Sequence, residues 1–288
     1  MRIALSTTHF GLPHFVHAME FFYMAAEYAV LNPDEEVEVV IQPHVHYRSR
    51  YVAEFIESIC RSCTNFRVVL SDVNTDDHPP KKLWTIIPYS IKGDTAHARC
   101  YQWFTTGYRG ANKIRDTIIP DSPQSSIPRV GLVNRKNTRI LLNADAIQQA
   151  IEEELGLSVD TTYFEDKSLL EQARFFKEHR IIISPHGAQL CSIPFAPDGA
   201  CIIECCHDEW HPMFYFPGLS SSSGKVHVML CDDISIQDGQ LVTPYSTELR
   251  NKGIRQKKLN IYMNTQRVVQ VIRGYLNDEY SASEIHCM

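Results

Sequence analysis

No DxD triplet occurs anywhere in the 288 residues, and neither does a GxGxxG or GxxxxGKS loop. The first absence removes the usual carboxylate pair that holds a divalent cation beside a diphosphate. The second leaves dinucleotide oxidoreduction and P-loop hydrolysis unsupported. No apolar run approaches the ~18 residues of a membrane-crossing helix, and the opening MRIALSTTHFG turns polar too soon for a signal peptide. A basic excess is also missing. Lys and Arg number 28 against 34 Asp and Glu, for a net charge of −6. That speaks against a nucleic-acid surface, though not against a local basic pocket for a small anion. Hydrophobic residues at 44% and charged residues at 22% are ordinary globular usage, which excludes disorder, collagen-like repeats and coiled coil. The nine cysteines are odd in number. Cys201, Cys205, Cys206 and Cys231 sit in apolar, strand-like runs, where a free thiol behaves as a small hydrophobe. Cys60 and Cys63 form a CxxC with no second pair at zinc-knuckle spacing. The expectation is a soluble protein of a reducing compartment, cytoplasmic. A chain trimmed of an N-terminal anchor would read the same.

What is present is a rhythm of strands and helices. In the first half, strands are expected at Arg2–Ser6, Glu38–Gln42, Phe66–Leu70 and Trp84–Pro88. Helices are expected at Pro13–Val30, Tyr51–Cys63 and from Asp94 to about Tyr108. Ile119–Pro128, with three prolines and three serines, reads as a linker. The second half places strands at Val130–Asn134, Val159–Phe164, Arg180–Ser184, Ala200–Cys206 and Lys225–Cys231. Its helices are Ala144–Leu155 (Asn143 as N-cap, Gly156 as C-cap), Ser168–Glu178, the short Ala188–Phe195 and a closing Thr265–Tyr275. Strict alternation with continuous apolar strands implies parallel sheets covered on both faces. The expected architecture is therefore α/β, with two Rossmann-like domains, 1–122 and 129–288, facing across a cleft. Whether the closing helix crosses back onto the first domain stays open.

In such sheets ligands sit beyond the carboxyl ends of the strands, so the loops there carry the functional argument. After Val130–Val133 come Asn134, Arg135, Lys136 and Arg139, a cationic loop on an acidic chain. After Val159–Tyr163 come Glu165 and Asp166. After Ile181–Ile183 come Ser184, His186, Gly187, Ala188 and Gln189, a turn into a helix start. Glu204 is an acid inside the apolar run ACIIECC. Free main-chain N–H groups at a helix start attract a phosphate, and an arginine from the neighbouring loop matches its geometry. The combination suits a nucleoside diphosphate. Taken singly, Arg135 and Lys136 read equally as solvated charges, His186 as a core histidine and Glu204 as the partner of a structural arginine. Their joint placement at the carboxyl ends of one sheet is what points to a site.

Asn134-Arg135, then Arg139-Ile140-Leu141-Leu142-Asn143, Glu165, Gln172, His186-Gly187-Ala188-Gln189-Leu190, Phe195 and Ile203-Glu204, in that order, resemble glycosyltransferase family 61. More loosely, Pro13-His14-Phe15-Val16-His17-Ala18-Met19-Glu20 resembles the family's histidine-containing first helix, with an acid shortly after the second histidine. The resemblance implies a GT-B fold, a UDP-sugar donor, a glycan acceptor, inversion at the anomeric carbon and no metal or other cofactor. Members include β-1,2-xylosyltransferases and protein O-linked N-acetylglucosaminyltransferases, so xylose, the donor sugar favoured here, and N-acetylglucosamine are the alternatives. The chain is short and lacks the membrane anchor of the eukaryotic members, which suggests a compact bacterial or viral version, in the host cytoplasm if viral.

An inverting transfer needs the leaving diphosphate stabilised and the acceptor hydroxyl deprotonated. Without DxD, the first task falls to Arg135, Arg139 and the amides around His186-Gly187-Ala188. Ser184 and Gln189 flank that turn, and Glu165 and Glu204 are positioned to bind ribose hydroxyls or to orient the arginines. The second task needs a general base. Glu20 is the first candidate by its match to the family's acid, His17 the second, with His14 beside them. These three could equally hold the helix to the first strand. Two rival classes stand. A metal-dependent hydrolase would use His9, His14, His17, His44 and His46, but it leaves Arg135 and the HGA turn unexplained. A non-catalytic nucleotide-sugar or glycan-binding module would share the donor residues.

Overall fold

The computed structural model describes residues 2–5, 23, 25–41, 50–70, 111–120, 128–207, 216–232, 235–237, 240–242, 259–282 and 285–287. The chain divides into two compact units, Met1–Asp121 with Ser168–Leu170, and Ser122–Lys167 with Glu171–Met288. Each contains a parallel sheet, as continuous apolar strands alternating with helices demand.

In the first unit β1 (Arg2–Leu5), β2 (Val37–Ile41) and β3 (Phe66–Leu70) pair in parallel in the order β1-β2-β3. Helix α1 (Arg50–Ser62) buries Phe55, Ile56 and Ile59 and exposes Glu57, Cys60 and Arg61, the spacing of one apolar stripe. Tyr23 meets Phe55 edge-on, with ring centroids 4.9 Å apart. The Asn65 amide nitrogen lies 2.9–3.1 Å from the carbonyls of Ala29, Asn32 and Glu35, so one side chain satisfies the turn before β2. Helix α2 (Ala111–Ile118) was not foreseen. It is anchored by Ile114 and the following Ile119, too few apolar positions to make a visible period. The expected strand Trp84–Pro88, the helix from Asp94, the part of the first helix that holds His14, His17 and Glu20, and His9, His44 and His46 lie outside the described residues.

The second unit is built on a six-stranded sheet in the order β12-β8-β7-β6-β4-β5, parallel throughout. Its strands are β4 (Val130–Asn134), β5 (Val159–Tyr163), β6 (Ile181–Pro185), β7 (Cys201–His207), β8 (Val226–Asp232) and β12 (Ile285–Cys287). Every residue of β4, β6 and β7 is buried, while the edge strand β5 alternates. Helices α3 (Ala144–Leu155), α4 (Leu169–Glu178), α5 (Phe216–Ser222) and α6 (Thr265–Leu276) belong to this part of the chain, with a 3-10 helix at Ala188–Phe195. Gly131 lets α4 lie close on β4, since a Cβ there would stand 2.6 Å from Phe175 and 2.9 Å from His179. Helix α6 buries Val268, Val269, Val271 and Ile272 in the same core cluster as Ile147 and Ile151 of α3 and the strands of this sheet.

Gly156 ends α3 in the left-handed conformation at φ 64° and donates to the Glu152 carbonyl, as a C-cap glycine should. Asn143 does not cap α3 with its side chain. Its amide instead bonds both backbone groups of Met263, at 2.8 and 3.1 Å, a tertiary demand that outweighs local capping. The cap signal is fulfilled at α6, where Asn264 Oδ1 accepts from the amides of Gln266 and Arg267. A small antiparallel sheet of β9 (Ser235–Gln237), β10 (Gln240–Val242) and β11 (Asn260–Ile261) amends the all-parallel expectation. Two- and three-residue strands carry no legible alternation. Among the described residues Cys63, Cys191, Cys201, Cys205 and Cys206 are buried free thiols, and no helix is long and apolar enough to cross a membrane.

Candidate functional site

The sheet order brings the interesting loops together. β6 lies between β4 and β7, and Ser184 of β6 pairs with Glu204 of β7. The loops that leave the carboxyl ends of β4 and β6 are therefore neighbours at one rim.

The β4 loop is pinned from below by Asn134. Its buried side chain accepts from the amides of Arg135 and Leu141 and donates to the Leu141 carbonyl, at 2.8–2.9 Å. Residues 135–140 thus form a closed bight. From the outer side, Glu165 accepts the Lys136 amide at 2.9 Å, and Lys136 pairs with Asp166. Arg139 completes the turn with φ 56°, a left-handed conformation that a non-glycine residue adopts at a cost of about 1–2 kcal/mol. Gln172 steadies the next loop through the carbonyls of Phe164 and Lys167.

Arg135 reaches from this bight to the β6 turn. Its Nε donates to the Thr138 carbonyl at 2.8 Å, and its Nη1 to Gln189 Oε1 at 3.1 Å and the His186 carbonyl at 3.4 Å. Its Nη2 lies 3.5 Å from Thr138 Oγ1. Every one of these acceptors is a neutral oxygen. The guanidinium rests directly over Gly187. A Cβ at that position would overlap Nη1 and Gln189 Oε1 and stand 3.0 Å from Arg135 Cζ. Gly187 has φ 170°, ordinary extended backbone, so the position requires glycine for space and not for conformation. Gln189 is held in turn by Ser184 Oγ at 3.0 Å and the Pro185 carbonyl at 2.7 Å. The amides of Gly187, Ala188 and Gln189 donate to no described residue. Among the described residues they are the N–H groups left over at a helix start.

Two cations share this rim. Burial lowers the Arg135 guanidinium, with the Glu165 charge opposing. Burial, then the Arg135 charge, brings Arg139 down to about 10. Both stay protonated at neutral pH. Cations crowded together, one bonded among the described residues only to neutral oxygens and close to three amides that none of those residues accepts, make a place for an anion.

Glu204 sits beneath. It is 0% exposed, and its two oxygens meet His186 Nδ1 and, at 2.9 Å, His227 Nε2. Burial alone would push this carboxyl up. His186 above all, and His227 after it, outweigh that and hold it at about 2. The carboxylate is thus ionised and faces histidines, not the rim. The ligand-type atoms of His186, Glu204 and Cys206 lie within 4.8 Å of one another. Both Glu204 oxygens are already engaged by imidazoles, however. The Arg139 charge lies beside Glu204 and Cys206, and burial pushes the Cys206 thiol well up. A thiol that burial keeps neutral is a poor metal ligand.

The sequence model described as Glycosyltransferase 61 matches residues 12–203. The chain belongs to glycosyltransferase family 61. Curated proteins named "Protein O-linked-mannose beta-1,4-N-acetylglucosaminyltransferase 2" are similar over a shorter stretch. The one from Tetraodon nigroviridis is 30% identical over 84 residues, 29% of this chain and 14% of that protein. The one from Xenopus tropicalis is 29% identical over 86 residues, 30% of this chain and 15% of that protein. The human one is 29% identical over 84 residues, 29% of this chain and 14% of that protein. The chain thus spans about 15% of the length of these relatives.

This member of glycosyltransferase family 61 therefore gathers Asn134, Arg135, Arg139, Ser184, His186, Gly187, Ala188, Gln189 and Glu204 at or beneath one rim, with Glu165 bracing the loop from outside. Glu20, His17 and His14 lie outside the described residues, within the span of the family match. His227 and Ser220 were missed by sequence reasoning. A histidine in an apolar strand was the one signal for them. Because Glu204 is held below its usual range when folded, its stabilising contribution is full above pH ~4.5. It is lost as pH falls toward 2. Chemical denaturation should find Glu204→Gln less stable by ~3–5 kcal/mol at pH 7, with a shallower acid limb. Wild-type stability with an unchanged acid limb would contradict the ionised, buried carboxylate.

Proposed function

We propose that this chain transfers a sugar from a UDP-sugar to a glycan hydroxyl, with inversion and without a metal ion, on a GT-B architecture whose domains are 1–122 and 129–288. The observation that carries the reading is the Arg135 guanidinium, bonded among the described residues only to neutral oxygens, beside the amides of Gly187, Ala188 and Gln189, which no described residue accepts. As the bond between the anomeric carbon and the diphosphate oxygen breaks, negative charge grows on the leaving UDP. Arg135, Arg139, His186 and the three amides are preorganised to receive it, a service worth a few kcal/mol per donor. The acceptor oxygen forms the new bond on the opposite face, and its proton passes to a base. Glu20 is assigned that role by its match to the family's acid, with His17 as the second candidate and His14 nearby.

The donor sugar follows from the resemblance alone. The family's xylosyltransferases make xylose one candidate, and the names of the curated relatives favour N-acetylglucosamine. Thermal-shift measurements against UDP-xylose, UDP-GlcNAc, UDP-glucose, GDP-fucose and GDP-mannose separate these. The chain is expected to release UDP from one of the UDP-sugars when a glycan acceptor is supplied. A binding module would release none, and that result would overturn the enzymatic reading. Glu20→Gln should retain UDP binding and lose ~10²–10⁴-fold in turnover, while near-normal turnover would move the base to His17. Transfer should persist in excess EDTA. Abolition that manganese reverses would replace the cation-free mechanism with a metal-assisted one.

A further inference from the structure

Behind the rim, the second unit buries a line of polar side chains that the transfer reaction as described leaves unused. Ser220 Oγ lies 2.8 Å from His227 Nδ1, His227 Nε2 lies 2.9 Å from Glu204 Oε2, and Glu204 Oε1 meets His186 Nδ1. Ser220, His227 and Glu204 are at most 1% exposed. The His186 ring packs on Phe216 with centroids 5.1 Å apart, and Phe216 lies one turn before Ser220 on α5. One helix therefore supports both ends of the line.

The protons along it can be placed. The hydrogen-bond partner of the Ser220 hydroxyl among the described residues is His227 Nδ1. A buried donor without an acceptor is costly, so the hydroxyl hydrogen points at Nδ1, which must offer its lone pair. His227 is then the neutral tautomer carrying its proton on Nε2, and it donates to Glu204. A neutral His227 leaves the Glu204 charge to be balanced by the groups on its other side, His186, whose Nδ1–H donates, and the Arg139 charge beside it. The ring nitrogen of His186 that does not face Glu204 is Nε2. Among the described residues the titratable groups around His186 include Glu204 and Cys206 on β7, Arg135 and Arg139 in the β4 loop, and His227 behind Glu204.

We propose that Ser220 and His227 are positioning residues which, through Glu204, hold His186 as an imidazolium whose Nε2–H is offered to the diphosphate of the nucleotide donor. This rests on the nucleotide-sugar reading above, because a diphosphate oxygen can only accept and so requires a protonated Nε2. Glu204 is then the counter-charge of His186, which keeps a third cation at the rim beside two arginines that would otherwise repel it. The sequence thereby gains a donor whose strength is set two residues away from the ligand, as a carboxylate behind an imidazole fixes its tautomer and orientation.

Ring-nitrogen NMR of the whole chain without ligand tests the line directly. His227 should carry its proton on Nε2 alone and His186 should carry one on each ring nitrogen, and a His186 with a bare Nε2 overturns the proposal. A His227 protonated on Nδ1 overturns the proposal. His227→Leu should weaken UDP about tenfold or more, and His227→Gln, which keeps an N–H donor but cannot titrate, should recover most of that. Equal UDP affinity of the two variants, both with cooperative thermal melts, also contradicts it. Where His227→Leu does not fold, Ser220→Ala serves. It should redistribute the His227 proton between both nitrogens, and an unchanged tautomer counts against the relay. A wild-type chain that binds no UDP removes the nucleotide reading, and the ligand-free spectra then still decide the relay.

Discussion

The Arg135 guanidinium fills the volume that a side chain at position 187 would occupy, and the rest of the site depends on that exchange of volume for charge. It explains why the turn after β6 is His-Gly-Ala even though its backbone is in an extended conformation open to any residue. It explains why Gln189 is clamped by Ser184 and Pro185, since its Oε1 must hold the guanidinium over the glycine. It also explains the closed bight of the β4 loop, because Asn134 must fix Leu141 for Arg135 to project toward a neighbouring strand and not into solvent. Among the described residues the guanidinium donates only to neutral oxygens, so no carboxylate bonded to it cancels its charge. The arrangement suits an anion, and the carboxyl rim of a parallel sheet is where the ligands of such folds sit.

Below that rim the unit tolerates an ionised carboxylate with no solvent exposure. Burial of a lone charge would cost several kcal/mol, so Glu204 persists only because both of its oxygens accept imidazole protons. The apolar strands β6, β7 and β8 supply a dry, rigid frame around it. In such a frame the hydrogen bonds are strong, and removing one partner is expensive. Structure and chemistry thus share one cluster: the groups that keep Glu204 ionised are also those that set the state of His186.

Much of this was legible from residues. The strands of the second half announce themselves as continuous apolar runs, and the loops after them carry the unusual charges, so Arg135, His186 and Glu204 could be named before any coordinates. Gly156 was readable as a C-cap because only the local chain decides it. What failed was decided at a distance. Asn143 looks like an N-cap, yet Met263, 120 residues on, claims its side chain. Glu204 could be placed at the site, but whether it faces ribose, arginine or histidine depends on neighbours in other strands. His227 and Ser220 carry no spacing that links them to Glu204. They meet it through sheet order and through the short helix α5, which has too few residues for a visible period. The two- and three-residue strands of the small antiparallel sheet were illegible for the same reason.

The central claim is that a diphosphate is held by Arg135 and the amides of the glycine turn. Calorimetric titration of UDP into Gly187→Ala and Arg135→Ala tests it most directly, because the first variant evicts the guanidinium with a methyl group and the second removes it. Each is expected to weaken UDP at least about tenfold, in line with the loss of a charge-assisted hydrogen bond of roughly 1.5–3 kcal/mol. Both should leave a cooperative thermal melt. Wild-type affinity in the two folded variants would contradict it.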